Sequence, residues 1–159
     1  NGKHYKDVID DNGKYPIYGS GGIMNYANQY LCNENSVIIG RKGTINNPIF
    51  VKEKFWNIDT AFGIEANKNV LIPMFLFYFT KQFNFLDLNK STTLPSLAKT
   101  HLLQINMVLP PLPIQQKVVS YLNEIYEKIE KIKQLQKEKM ANLKALKASI
   151  LDSAFRGEL

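Results

Sequence analysis

The stretch "LPPLPIQQKVVSYL" (Leu109–Leu122) divides the chain in two. Pro110, Pro111 and Pro113 crowd together here, and proline does not occur again. Proline removes a backbone donor and is tolerated in a helix chiefly within its first turn. The cluster therefore closes what precedes it, and from Ile114 the chain reads as helix almost to its end. A helix of about 40 residues is about 60 Å long. That is longer than the domain able to carry it, so the helix requires something to pack on.

Its spacing indicates what. Val118, Leu122, Ile125, Ile129, Ile132, Gln136, Lys139, Leu143, Leu146 and Ile150 follow one another at steps of four and three, the repeat of a coiled-coil seam. Only Gln136 and Lys139 are polar, and a polar pair at mid-seam fixes register or orientation. Charged residues such as Glu127, Lys128, Glu130 and Lys131 fill the solvated face. A narrow seam suits a partner helix; the competing reading is an amphipathic helix folded back on its own domain.

Before the prolines the pattern is mostly β. "KYPIYGSGG" predicts a strand entering a glycine turn at Gly19, Gly21 and Gly22. "SVIIG" (Ser36–Gly40) predicts a buried strand, "RKGTINNP" (Arg41–Pro48) a loop, and "IFVKEKFW" and "TAFGIEA" two further strands. A buried helix is expected from about Pro73 to Phe83, a polar loop over "NKSTTLPSL" (Asn89–Leu97), and a last strand over "QINMVLP" (Gln104–Pro110). Strands and helix do not alternate as in βαβ units. The expected fold is α+β: a small twisted, mainly antiparallel sheet with a short buried helix, then one long coiled-coil helix. Residues 1–112 are expected to form the domain, 113–155 the helix and 156–159 a tail.

The net charge of +6 suits a polyanionic partner, most simply nucleic acid, and on charge alone suits ordinary solubility equally well. Cys32 is the only cysteine, which rules out an internal disulfide and a Cys-rich zinc site and fits a reducing compartment such as the cytoplasm. His4 and His101 suggest no metal spacing. "VLIPMFLFYF" (Val70–Phe79) is too short to span a membrane. The opening "NGKHYKDV" lacks signal-peptide character and a Met, as in an excised or processed piece.

Two catalytic readings compete with a DNA-binding role, as does a coiled-coil adaptor with no DNA role, for which the +6 charge would be incidental. "NNPIF" (Asn46–Phe50) is similar to the Asn-Pro-Pro-Phe loop of amino-methyltransferases with one proline missing. The glycine turn, however, opens no helix in a βαβ unit, and about 110 residues are too few for such a domain. Asp7, Asp10, Asp11, Asp59 and Glu65 lack a catalytic lysine in register for a nuclease, and Asp59 reads as a turn residue. DNA binding fits more residues. Arg41 and Lys42 suit phosphates, and Asn46 and Asn47 carry amides that pair with adenine edges. Tyr18, Ser20, Asn25 and Tyr26 flank a turn that lets backbone approach closely. Lys90, Ser91, Thr92, Thr93, Ser96 and Lys99 suit backbone phosphate.

Read together, "GKYPIYGSGGI", "VIIGRKGTI", "FWNIDTAFGI", "STTLPSLAKTHLLQINMVLPPLPIQQKVVSYL" and "SILDSAFRGEL" resemble the specificity subunits of type I restriction–modification systems. The resemblance implies a non-catalytic subunit with two target-recognition domains, each followed by a long helix. The helices pack antiparallel, and each domain reads half of a split DNA sequence. It implies modification subunits that bind S-adenosylmethionine and methylate adenine, joined by motor-nuclease subunits in the restriction complex. This chain would bind no cofactor or metal itself. It carries one domain and one helix, as a C-terminal half or a half-size subunit would, and pairing through Val118, Leu122, Ile125, Ile129, Ile132, Leu143, Leu146 and Ile150 would restore the two-fold layout.

Overall fold

The structure is a computed structural model and describes residues 1–158. The chain divides into two compact units, Asn1–Val119 and the remainder from Ser120.

The first unit contains two three-stranded sheets. Strands β1 (Tyr15–Gly19) and β2 (Gly22–Ala27) form an antiparallel hairpin about Ser20–Gly21, and β5 (Trp56–Asn57) pairs with β1 in parallel. Gly22 closes the turn at φ +130, a conformation L side chains rarely adopt. In the second sheet, β3 (Ser36–Gly40) lies between β4 (Ile49–Val51) and β6 (Ala61–Ile64), both antiparallel to it.

Strand β3 is buried along its whole length. Its β-branched side chains alternate between two cores, as a period of two requires. Val37 and Ile39 join Ile45, Phe62, Leu76, Phe85 and Leu97. Ile38 points the other way, into a cluster with Tyr18, Cys32, Val51, Phe55 and Ala61. A third cluster, Val8, Ile17, Ala27, Trp56 and Ile58, fills the hairpin sheet. Helix α1 (Pro73–Gln82) begins with its proline at N1 and buries Leu76 and Thr80. A 3-10 turn follows at Phe85–Leu88, and α2 spans only Lys99–Leu102.

The α+β expectation holds, with three of the four strand pairings antiparallel. Its details change in three ways. There are two sheets rather than one. "IFVKEKFW" is not one strand: the polar turn at Lys52–Lys54 splits it into β4 and β5, which enter different sheets. The expected last strand at Gln104–Pro110 enters no ladder. Ile105 and Met107 alternate with exposed Asn106 and Val108, which imitates a strand, but Pro110 and Pro111 deny the segment donors where it would continue.

Helix α3 spans Leu112–Arg156, 45 residues. Its first two turns belong to the first unit, where Gln115 and Val119 are buried. The Gln115 amide donates to the carbonyls of Val70 and Pro110, both at 2.8 Å, and accepts from the Ile72 amide at 2.9 Å. In the second unit Ile129, Ile132, Leu143, Leu146 and Ile150 are each about half exposed. The ion pairs Glu124–Lys128 and Asp152–Arg156, one turn apart, mark the solvated face. Gly157, at φ +72, ends the helix: its amide donates to Ala154 and that of Glu158 to Ser153. Leu159, the last residue of the expected tail, lies outside the described residues. Among the described residues no helix is long and apolar enough to cross a membrane.

Candidate nucleic-acid interface

Three polar segments, distant in sequence, meet where β1 and β3 end. The first is Arg41–Thr44, which continues β3. The amides of Arg41 and Lys42 both donate to the Thr60 carbonyl, at 2.8 and 3.3 Å. On the other side the Arg41 carbonyl accepts from Leu97 at 2.8 Å, and the Gly43 amide donates to Pro95 at 2.9 Å. Lys42 thereby bridges Ser96 in antiparallel fashion. Glycines make this path possible. A Cβ on Gly40 would stand 2.0 Å from the Thr44 carbonyl oxygen, and Gly43 sits at φ +79.

The second segment is Asn89–Leu97. Asn89 folds it back: its side-chain oxygen accepts from the backbone amides of Ser91 (3.1 Å) and Ser96 (2.9 Å), and its side-chain nitrogen donates to the Ser91 carbonyl (2.9 Å). Ser91 and Ser96 become the half-buried neck of the loop, while Lys90, Thr92 and Thr93 remain exposed. The third segment is the hairpin turn. Ser20 lies against the Arg41–Thr44 path, its Cβ 3.1 Å from where a Cβ on Gly40 would stand and its hydroxyl 3.6 Å from the corresponding point on Gly43. Ser20, Arg41, Lys42 and Ser96 are thus brought together by backbone.

The other expected residues fare differently. Tyr18 is buried, its ring edge-on to Phe55 at 5.6 Å. Burial first, then the Glu53 carboxylate and Tyr26, raises its hydroxyl above the ordinary range. Asn25 is half-buried and its side-chain oxygen accepts the Tyr26 amide at 2.7 Å, whereas Tyr26 itself is exposed. Asn46 is exposed but its side-chain oxygen accepts the Phe85 amide at 2.8 Å, so it holds the start of the 3-10 turn. Asn47 receives Lys81 at 3.4 Å, which brings in a cation the sequence did not single out. Lys90 faces an open cleft with Asp87, His101, Gln104 and Asn106. Lys99 opens α2 at the rim of an apolar cavity of about 420 Å³ lined by Ile39, Phe62, Leu76 and Phe85.

The acidic residues do not assemble. Glu65 accepts both the backbone and the side-chain amide of Asn33 at 3.0 Å, which lowers its carboxyl below the usual range. Asp10 accepts the Asn12 amide in a turn. Asp59 is exposed beside Arg41, whose guanidinium donates to its backbone carbonyl at 3.2 Å. Among the described residues no group of His, Cys, Asp or Glu is placed to hold a metal.

The model of the type I restriction modification DNA specificity domain matches residues 1–139, most of the chain and all of the surface just described. The chain belongs to this family. A type I restriction enzyme specificity subunit of Haemophilus influenzae is 25% identical over 127 residues, 77% of this chain and 33% of that protein. Three solved structures share the specificity-domain fold. One, from work on assembly and conformational transition of a type I system, superposes with TM-score 0.82 at 23% identity over 99% of this chain and 43% of the other. The S subunit from M. genitalium gives 0.68 at 17% identity over 82% and 36%. The HsdS subunit from Thermoanaerobacter tengcongensis gives 0.68 at 21% over 100% and 42%. This specificity-domain chain therefore spans a third of the curated relative's length and under half of each solved chain.

Proposed function

We propose that this chain is the non-catalytic DNA-recognition half of a type I specificity subunit, reading one half of a bipartite target. The observation that carries this is the convergence of the hairpin turn, Arg41–Thr44 and Asn89–Leu97 within the unit that the family model spans. Backbone bonds there bring Arg41 and Lys42 into the neighbourhood of Ser20 and Ser96, residue types that position a phosphodiester backbone. Helix α3 serves as spacer and docking element. Its seam takes the helix of a second recognition domain or of a second copy. Adenine methyltransferase subunits, which hold S-adenosylmethionine, act at the site this chain selects, and motor-nuclease subunits complete the restriction complex. The chain works in the cytoplasm.

Arg41→Ala with Lys42→Ala is expected to weaken binding to all duplexes alike. The dependence of log affinity on log salt should fall by about one to two units of slope, one for each lost phosphate contact. Lys133→Ala with Lys137→Ala should change it little. The reverse ranking, in a fluorescence titration across salt concentrations, would place DNA along the helix instead. Calorimetry with S-adenosylmethionine separates the catalytic alternative, since a recognition half takes up none.

A further inference from the structure

We propose that Ile23 and Met24, beside the turn of the β1–β2 hairpin, contact thymine 5-methyl groups in the major groove, so that this element reads A·T pairs by apolar contact. The inference rests on the reading of the chain as a DNA-recognition unit and adds which bases one element of it selects.

Consecutive residues of a strand point to opposite faces. Here both are turned to solvent, Ile23 at 52% and Met24 at 53% exposure. The cause is a break in register: Ile17 faces Asn25 and Tyr18 faces Ile23, which leaves Met24 without a partner. Such a bulge re-aims side chains. Met24 is not loose. Its sulfur lies over Gly19, where a Cβ would come within 2.7 Å of it. The hairpin therefore presents Met24 seated over its turn, with exposed Ile23 beside it in sequence.

The surroundings select the occupant. Ser20, in the same turn, lies beside the glycines that flank Arg41 and Lys42, within 3.1 and 3.6 Å of where a Cβ on Gly40 and Gly43 would stand. A polyanion drawn to those cations is brought against the apolar pair. The outer edge of β2 is covered by Val8–Asp10 at its far end, where Ile9 bridges Ala27 and the Asp10 amide donates to Tyr26, while the turn end that carries Ile23 and Met24 lies beyond that pairing and can enter a groove. The major groove admits a two-stranded ribbon, and the thymine methyl is the apolar feature it displays. A protein surface would bury Ile23 and Met24 equally well, but it gives the adjacent cations no role unless it is acidic.

The test uses the intact protein assembled with its methyltransferase partner. Sequencing of methylated sites defines the half-site. Duplexes in which each thymine of that half-site is replaced singly by uracil are then titrated against the unaltered protein, Ile23→Thr and Met24→Ser. Ile23→Thr keeps a β-branched residue at an exposed strand position, so the hairpin is retained even if Met24→Ser loosens it. At least one uracil should weaken binding of the unaltered protein about fourfold, the transfer free energy of a single methyl carbon. That sensitivity should vanish in one of the variants. A half-site of G·C pairs only, uracil without effect at every position, or variants as sensitive as the unaltered protein would overturn the proposal alone. Variants that bind DNA normally but no longer assemble would overturn it in favour of a protein contact. Failure of the unaltered complex to prefer any sequence would overturn the functional reading as well.

Discussion

Gln115 is a fully buried amide with all its polar partners in place. Removing the amide leaves the Ile72 donor and the Val70 and Pro110 acceptors without this partner in a partly buried setting, which costs more than the bonds themselves contribute. Gln115→Ala is expected to destabilise the first unit by about 2–4 kcal/mol. Gln115→Met, which keeps the volume, should recover only part of that loss. Denaturant titration followed by Trp56 fluorescence reads both, because Trp56 is the only tryptophan and is buried in that unit. Cys32 offers a pH signature. Burial, reinforced by the Glu65 carboxylate, pushes its thiol up to about 11. The folded state thus holds the proton more tightly than the unfolded chain. The Cys32 contribution to stability should be level below about pH 9 and be lost as pH rises toward 11, and Cys32→Ala should lessen the alkaline fall, leaving the part that the raised Tyr18 hydroxyl contributes. At this scale the sequence was only partly legible. Arg41, Lys42, Ser20 and Ser96 stood out by type, and backbone bonds do bring them together. Tyr18 and Asn46 stood out equally, yet one fills a core and the other holds a turn. The residues that organise the surface, Asn89 and Gly40, carry no charge, and only the path of the chain around them reveals their part.

Helix α3 was the most legible element, because a four-three repeat of apolar residues sustained over several turns lines up on one side of a helix and on no side of a strand. Its apolar seam is half exposed in the second unit, which leaves it able to associate. Ile129→Asp with Ile132→Asp is expected to convert an associating chain into a monomer without altering the Trp56 signal of the first unit. Sedimentation equilibrium decides this, and an unaltered chain that stays monomeric at high concentration would sink the expectation. The strands were less legible. "IFVKEKFW" carries strand-like composition throughout, and only the demands of two separate sheets divide it. Gln104–Pro110 alternates correctly but joins no ladder, since alternation reports which side faces a core and not whether a neighbouring strand is present.

For the whole molecule, the reading of α3 as a spacer makes helix length a determinant of the gap between half-sites. One inserted heptad adds about 10 Å, which corresponds to roughly three base pairs at about 3.4 Å each. Inserting seven residues after Gln136 in the intact protein should therefore leave this unit's half-site unchanged and lengthen the methylated gap. Four residues should shift the seam as well and be tolerated less. Sequencing of methylated sites checks both, and a constant gap or an altered half-site would count against the spacer. The overall α+β class and the one long helix could be read from pattern alone, whereas the meeting of three loops depends on approaches such as Ser20 to Gly43 and Lys42 to Ser96 and leaves no periodic trace. The Gln115 clamp also bears on inheritance. Because the first two turns of α3 belong to the first unit, on the reading proposed above a genetic exchange that moves its specificity into another subunit must carry the chain at least through Gln115. A crossover at the proline cluster, although it looks like the border, would hand the Ile72 amide and the Val70 carbonyl to a foreign side chain. The transferable cassette is delimited by one buried amide, not by the prolines.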